Sequence, residues 1–338
     1  MRAIAFDAPR PIDAPDALVD IALPDPAPSG RDILVEVRAV SVNPVDTKVR
    51  KSATPPAGEP RVLGYDAAGV VRAVGPEATL FKAGDEVFYA GALERPGTNA
   101  ELHLVDERIV GRKPASLSFG EAAALPLTTI TAWEALFDRL DVAKPVPGAA
   151  RAVLIIGGAG GVGSIAIQLA RRLTDLTVIA TASRPETQGW VRELGAHHVI
   201  DHRQPLADQV AALGLGQPAF VFSTTNTADH LAEIVQLIAP QGRFALIDDP
   251  AALDVNPFKR KSVSVHWEFM FTRSMFGTAD IAAQGALLNE ASRLVDAGEI
   301  RTTASEAFGP ITAENLTRAH ALIESGAAKG KIVLEGWG

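Results

Sequence analysis

Directly after the continuous apolar run Val153-Leu154-Ile155-Ile156, the chain reads Gly157-Gly158-Ala159-Gly160-Gly161-Val162-Gly163, in which Gly158, Gly160 and Gly163 match G-x-G-x-x-G. Between a strand and a helix, glycines at this spacing allow a tight turn, close backbone approach to a pyrophosphate and close helix–strand packing, while the helix N-terminus attracts the anion. Gly158, Gly160, Gly161, Val162 and Gly163 are therefore candidate cofactor-binding residues, the alternative being a glycine turn that binds nothing. An NAD site would place an acid about 20 residues further on, at the C-terminal end of the second strand. Here the chain reads Ala180-Thr181-Ala182-Ser183-Arg184, and Asp175 precedes the strand and so belongs at the opposite edge of the sheet. Ser183 and Arg184 offer a hydroxyl and a guanidinium that suit a 2′-phosphate, which predicts NADPH as the cofactor. Both also have a plain reading, Ser183 as a helix cap and Arg184 as a solvated first-turn residue.

Other chemistries are excluded or weakened by the residues themselves. The chain has no cysteine, so disulfides, thiolate nucleophiles, iron–sulfur clusters and Cys-containing zinc sites are ruled out. His197, His198, Asp201 and His202 cluster in sequence, but along a strand His198 and His202 would lie roughly 13 Å apart, too far for one ion. No metal is expected, and a polar strand end is the preferred reading. Phe258-Lys259-Arg260-Lys261 is the strongest basic run; without an interleaved aromatic platform it reads as a solvated loop and not a nucleic-acid patch. His266-Trp267-Glu268-Phe269-Met270-Phe271 is unusually bulky and fits a pocket lining or a subunit interface equally well. His103 reads as a core or surface histidine.

The elements that must position the glycine loop follow from periodicity. After Arg151 the pattern alternates: strands at Ala152 to Ile156, Thr177 to Ala180, His198 to Ile200, Ala219 to Ser223, Arg243 to Ile247 and Ser262 to His266, with helices between them. One helix starts at Gly161, one is opened by Ser183 and Pro185 and closed at Gly195, and one carries Leu231, Ile234, Val235 and Ile238. Six such strands predict an α/β fold with a doubly wound parallel Rossmann sheet. Its strand ends Ser223, Thr224, Thr225, Ile247 and Asp248 are then expected at the nicotinamide half of the cofactor. Before this region the chain is β-rich, with runs Ile33 to Val40, Gly69 to Val74 and Glu86 to Tyr89 separated by Pro- and Gly-containing turns, the texture of a small barrel or sandwich. A helix from Ile281 to Asp296 and a strand from Ile332 to Leu334 close the chain, which predicts a tail that returns to the first domain. The expected division is 1–126, 127–266 and a returning segment 267–338.

With 338 residues, 47% apolar and 21% charged, the composition is that of a globular protein large enough for two domains. The net charge of -8 lacks the basic footprint of a nucleic-acid binder. No run approaches the length of a membrane span, and the N-terminus lacks a signal-peptide core, so a cytoplasmic protein with a small-molecule substrate and neither nucleic-acid nor membrane partner is expected.

Beyond the glycine loop and Gln168, the chain carries Val42-Asn43-Pro44-Val45-Asp46, Gly64-Tyr65-Asp66-Ala67-Ala68-Gly69-Val70, Gly84-Asp85-Glu86-Val87 and Lys329-Gly330-Lys331-Ile332-Val333-Leu334. Through these motifs it resembles, over nearly its whole length, the medium-chain dehydrogenase/reductase superfamily, and within it the quinone oxidoreductase branch with its zinc-type alcohol dehydrogenase-like proteins. The resemblance implies a GroES-like β-barrel catalytic domain, a Rossmann domain with a nicotinamide cofactor lodged between them, often a homodimer or homotetramer, and Lys331 on the cofactor side. Zinc-dependent members have a Cys near Asn43, Gly-His-Glu where this chain has Gly64-Tyr65-Asp66, and a Cys around Thr128-Thr129. All three catalytic-zinc ligands are replaced, and the lobe holding a structural zinc is missing. Asn43, Asp46 and Tyr65 thus stand at or beside positions that surround the metal in the zinc enzymes, and are the candidate catalytic residues. Asn43 and Tyr65 could donate to a substrate oxygen as charge develops. Asn43 and Asp46 could instead only tie down the loop around Pro44. The expected function is an NADPH-dependent, zinc-independent reductase of quinones or related electron-poor carbonyl and alkene compounds. The alternatives are an enoyl or 2-alkenal reductase and, from another class, an NADPH-responsive binding protein with little turnover.

Overall fold

The computed structural model of the protein describes residues 1–338 and divides into two compact units. Met1–Ile130 and Phe271–Gly338 form one, and Thr131–Met270 the other, with the helix Pro126–Trp133 containing the first crossing point.

The first unit is built on a seven-stranded sheet around the long strand Asp32–Val42. Its alternating residues Ile33, Val35 and Val37 are fully buried, the period of 2 that a strand with one core face requires. Ala67–Val74 pairs antiparallel with it on one side, and the returning strand Lys331–Glu335 pairs antiparallel on the other, with Ile332 opposite Val42 and Leu334 opposite Val40. The tail therefore completes the sheet begun 290 positions earlier, Ile332 lying opposite Val42. Helix Pro44–Ser52 leaves directly from the end of the long strand; Asn43 caps it and Pro44 occupies the first turn, where a missing N–H costs nothing.

The second unit is a six-stranded parallel sheet with the spatial order His198–Ile200, Thr177–Thr181, Ala150–Ile156, Pro218–Ser223, Arg243–Leu246 and Ser264–Trp267. In order of appearance this is 3-2-1-4-5-6, the doubly wound arrangement with its switch point beside the first strand. Leu154, Ile156, Ile179, Val221 and Phe244 form a core with Phe258. Two details differ from the sequence reading. Phe258 to Lys261 lie in a short 3-10 turn, Asn256–Lys261, with Phe258 buried and the Lys261 ammonium donating to the carbonyls of Gln236 and Ile238 at 2.8 and 2.7 Å, so the run is a turn anchored at both ends, while Lys259 and Arg260 are exposed. Ser262 ends that turn in the left-handed region (φ 51°), which moves the start of the sixth strand to Ser264. Helix Leu206–Ala212 and the π-helical turn Glu134–Arg139 were not anticipated. No helix is long and apolar enough to cross a membrane.

Candidate active site

In the second unit the glycine loop joins the first strand to helix Gly161–Leu173, whose N-cap is Gly160. Gly157 takes a φ of 82°, which its missing side chain permits. Each motif glycine has a distinct reason to lack a Cβ. One on Gly158 would stand 2.9 Å from Ala180 Cβ, and one on Gly163 would collide with the Gly157 carbonyl and stand 2.7 Å from Gly158 Cα. A Cβ on Gly160 would have nothing nearer than the Gly157 carbonyl at 3.6 Å. Gly158 and Gly163 are thus required by internal packing, whereas Gly160 faces open space at the positive end of a 13-residue helix, where a phosphate needs bare backbone. The residues present fit a nicotinamide dinucleotide.

Around this loop, Gly157 N–H donates to Thr181 Oγ1 at 3.0 Å and Gly158 N–H to the Thr181 carbonyl at 3.1 Å, tying the loop to the second strand. Thr224 Oγ1 donates to the Ile156 carbonyl at 2.9 Å, and Ser223 Oγ lies 2.8 Å from Thr227 Oγ1. Asp248 accepts from the Thr227 backbone N–H at 2.8 Å and from the Thr227 hydroxyl, so it caps helix Thr227–Leu237. Ile247 stands just past the fifth strand, and Thr225 is exposed beside Thr224. At the end of the second strand Ser183 is half-buried and Arg184 is exposed. Sequence reasoning missed Arg203, whose Nη2 donates to the Ser183 carbonyl at 2.7 Å while Asp201 grips the same guanidinium at 2.7 Å. Its position could be read only once the third strand was known to lie beside the second. His197 accepts from Val178 N–H and pairs with Arg171, and the His202 ring lies 6.5 Å from that of His230.

In the first unit, Asn43, Asp46, Asp66 and Lys331 converge in the interior, each no more than 3% exposed. Asp46 accepts from Asn43 N–H at 2.7 Å and from Gly64 N–H at 3.0 Å, stapling the start of helix Pro44–Ser52 to the turn that carries Tyr65. Asp66 accepts from Asn43 Nδ2 at 2.8 Å, from Leu127 N–H at 2.8 Å and from Lys331 Nζ at 3.0 Å. Lys331 also donates to the Val42 carbonyl at 3.0 Å and to Asn43 Oδ1. All three protons of its ammonium are committed here, so the expected cofactor role for Lys331 is replaced by an interior one. Burial pushes the Asp46 carboxyl up to about 7, against the hydrogen bonds from Asn43 and Gly64 and the charge of Lys331; burial also raises Asp66.

Tyr65 sits on this network with its ring edge-on to Phe271 at 5.3 Å and its hydroxyl accepting from Arg61 Nη2 at 3.3 Å. Burial, then the Asp46 charge, pushes its phenol up to about 12, so it stays protonated and can donate. No three His, Cys, Asp or Glu side chains converge as a metal cage. Where a zinc ion would need ligands, Asn43 is engaged with Asp66 and with the Lys331 ammonium, itself a buried cation; these residues do not fit zinc. His103 is buried, stacks on Tyr89 and bonds the Tyr89 hydroxyl at 3.1 Å and the Pro96 carbonyl at 2.9 Å.

A barrel-like unit with a returning tail and a 3-2-1-4-5-6 nucleotide-binding unit define a medium-chain dehydrogenase/reductase. Residues 29–124 match the alcohol dehydrogenase GroES-like domain, and residues 194–334 the zinc-binding dehydrogenase family. A zinc-type alcohol dehydrogenase-like protein of Staphylococcus aureus is 40% identical over 99% of both chains. A crystal structure from Rhizobium etli, provisionally described as a zinc-dependent alcohol dehydrogenase, is 69% identical, covers 100% of this chain and 98% of its own, and superposes with a TM-score of 0.98. The 2-methylene-furan-3-one reductase of Solanum lycopersicum is 28% identical over 99% of this chain and 79% of its own. The chain belongs to the zinc-type alcohol dehydrogenase-like family of the medium-chain dehydrogenase/reductase superfamily, and it is an oxidoreductase.

Proposed function

We propose that the protein is an NADPH-dependent, zinc-independent reductase of quinones and related electron-poor carbonyl and alkene compounds. The observation that carries this reading is the pairing of a protonated phenol, Tyr65, with a neighbouring quartet that holds an ammonium where a catalytic metal would need ligands. Without a Lewis acid, an ordinary alcohol or ketone loses its main support, whereas an acceptor that already stabilises negative charge needs only a hydrogen bond. When bound, the dinucleotide supplies the hydride. The glycine loop holds its pyrophosphate, and Ser183, Arg184 and Arg203 favour a 2′-phosphate at the end of the second strand, which itself carries no acid, the neighbouring Asp201 being paired with Arg203. Tyr65 donates to the substrate oxygen. Asn43 and Asp46, spent on internal bonds, hold the Tyr65 turn in place.

A panel of quinones, enals, enones and simple alcohols, scored by NADPH consumption before and after chelator treatment, tests the reading. Chelator-insensitive turnover of the electron-poor acceptors alone supports it; chelator-sensitive oxidation of alcohols overturns it, and no turnover on any of them favours a binding protein. The tomato relative is a 2-methylene-furan-3-one reductase, which favours alkene reduction as the second reading. For cofactor choice, Arg184→Ala should weaken NADPH binding tenfold or more, the loss of one charge-assisted contact of about 1.5 to 3 kcal/mol, and leave NADH nearly unchanged. Equal affinity of the unmodified protein for both cofactors would remove the NADPH assignment. We further propose a homo-oligomer, supported by the open edge strand Ser264–Trp267 with Trp267 and Phe269 about half exposed, and tested by sedimentation.

A further inference from the structure

Arg61 and Tyr65 stand four positions apart, a spacing that along an extended strand separates two residues by about 13 Å. Here the short strand Arg61–Val62, paired antiparallel with Arg2–Phe6, gives way to a turn at Gly64, whose φ of 108° folds the chain back. Neighbouring backbone holds that turn in place. Gly97 N–H donates to the Val62 carbonyl at 3.0 Å, Asn99 N–H to the Leu63 carbonyl at 2.8 Å and Thr98 N–H to the Gly64 carbonyl at 2.9 Å. Arg61 Nη2 is thereby brought to 2.7 Å from the Leu93 carbonyl and 3.3 Å from the Tyr65 hydroxyl.

Proton counting fixes the direction of the second contact. A guanidinium donates and never accepts. Nη2 carries one hydrogen for the Leu93 carbonyl and one for the Tyr65 oxygen, so the phenol accepts here and its single proton points elsewhere. No carbonyl or carboxylate of the protein takes that proton, although Tyr65 is buried. Asp46, whose charge acts on the phenol, spends its two oxygens on the N–H groups of Asn43 and Gly64. A buried donor without an acceptor is costly, and a substrate oxygen is the acceptor this one lacks. Arg61 is half-buried and forms no ion pair, so no carboxylate neutralises the charge that it brings to the phenol.

We propose that Arg61 is a positioning residue for the reduction: by donating to the Tyr65 oxygen it directs the phenol proton away from itself and leaves that proton for the substrate. This rests on the reading of Tyr65 as the donor to the substrate oxygen. A hydroxyl that accepts from a cation is polarised and becomes a stronger donor in its turn. As negative charge develops on the substrate oxygen, Arg61 supports it through the phenol without touching the substrate. Burial and the Asp46 charge push the phenol up, and Arg61 opposes both by its charge and its hydrogen bond.

The test has two readouts on the full chain. In a Tyr89→Phe background Tyr65 is the one remaining tyrosine, and labelling it as 3-fluorotyrosine, which ionises at lower pH, lets fluorine resonance follow its titration. Arg61→Gln, which keeps an N–H donor but drops the charge, should raise that titration by ~1 pH unit or more. The second readout is turnover of 1,4-naphthoquinone or 3-penten-2-one, whichever is faster, with NADPH. Arg61→Gln should lower kcat about tenfold with NADPH affinity kept, and in a Tyr65→Phe background it should cost nothing further. An unmoved titration overturns the inference, as do losses that add in the double variant, because Arg61 then acts on the substrate directly or only tethers the Leu93 segment. Wild-type kcat in Tyr65→Phe alone, or no turnover of either acceptor, overturns the reading of Tyr65 and this inference with it. Arg61→Met, uncharged and of similar length, takes the place of Arg61→Gln if the latter does not fold.

Discussion

Tyr65 and Tyr89 are the only two tyrosines in the chain, which makes the Tyr65 phenol directly observable. In a Tyr89→Phe background the remaining tyrosine should ionise near pH 12 in an ultraviolet titration, above its ordinary value of 10.0, and Asp46→Asn should bring it down because the Asp46 charge opposes ionisation. An unshifted titration would mean that the phenol is in water. In turnover, Tyr65→Phe should lower kcat by ~10 to 1,000-fold while NADPH affinity is kept, the range for losing one oxyanion donor. A variant with wild-type kcat on every reducible acceptor would show that the hydroxyl stabilises no developing charge. The legibility of these residues depended on sequence distance. The glycine loop was readable because its strand, turn and helix are contiguous, and each glycine's reason is local. The tyrosine and its neighbours were found only through family motifs. That Asn43 and Asp46 could tie down the loop around Pro44 was legible as the alternative reading, but the distant partners, Asp66 and Lys331 for Asn43 and Gly64 for Asp46, were not, because the fold brings them together; Arg203 was missed for the same reason.

Elements with strong periodicity were the legible ones. His198 to Ile200 and Glu86 to Tyr89 end where the sequence placed them, while Leu206–Ala212 was overlooked because seven residues hold too little repeat to separate helix from loop. Within the loop–helix element the glycines divide into two kinds. Gly163→Ala should lower Tm by overpacking worth about 1 to 3 kcal/mol. Gly160→Ala should keep the wild-type Tm and weaken dinucleotide binding, measured by fluorescence titration; a destabilised Gly160→Ala or a stable Gly163→Ala would contradict the division. A second element pair is sensitive to acid. Helix Pro44–Ser52 meets helix Ala313–Glu324 through Arg50, fully buried, whose Nε faces His320 Nδ1 at 3.4 Å and whose Nη2 pairs with Glu324. Burial, with the charges of Arg50 and Lys51, pushes His320 down to about 3 from 6.5, so the folded state keeps it neutral. Its stabilising contribution is complete above pH 6.5 and is lost as pH falls from there toward 3, at about 1.4 kcal/mol per pH unit. Urea midpoints from pH 7 to 4 should therefore fall less steeply in His320→Gln than in the wild type; His103, pushed down to about 4 by burial, acts in the same window and remains in both proteins.

At the scale of the molecule, the continuous unit and the discontinuous one should differ in autonomy. Residues 131–270 contain a complete 3-2-1-4-5-6 sheet with its own core. Expressed alone, that segment should unfold cooperatively, whereas a chain stopped before Lys331 should lose the cooperative transition of the other unit, because the C-terminal half of Asp32–Val42 would lack its antiparallel neighbour on one side. A truncated chain showing both transitions would refute this. The pairing of Lys331 with Asp66 also sets an order of events during synthesis. The ammonium follows its carboxylate by 265 residues, and at ribosomal speed that interval lasts on the order of tens of seconds. Throughout it the nascent Asp66 must stay hydrated or protonated, and the barrel-like sheet has no ion with which to bury it. The nucleotide-binding half can mature on the ribosome during this wait, so the hydrogen-bonded cradle beneath Tyr65 is among the last parts of the protein to be assembled.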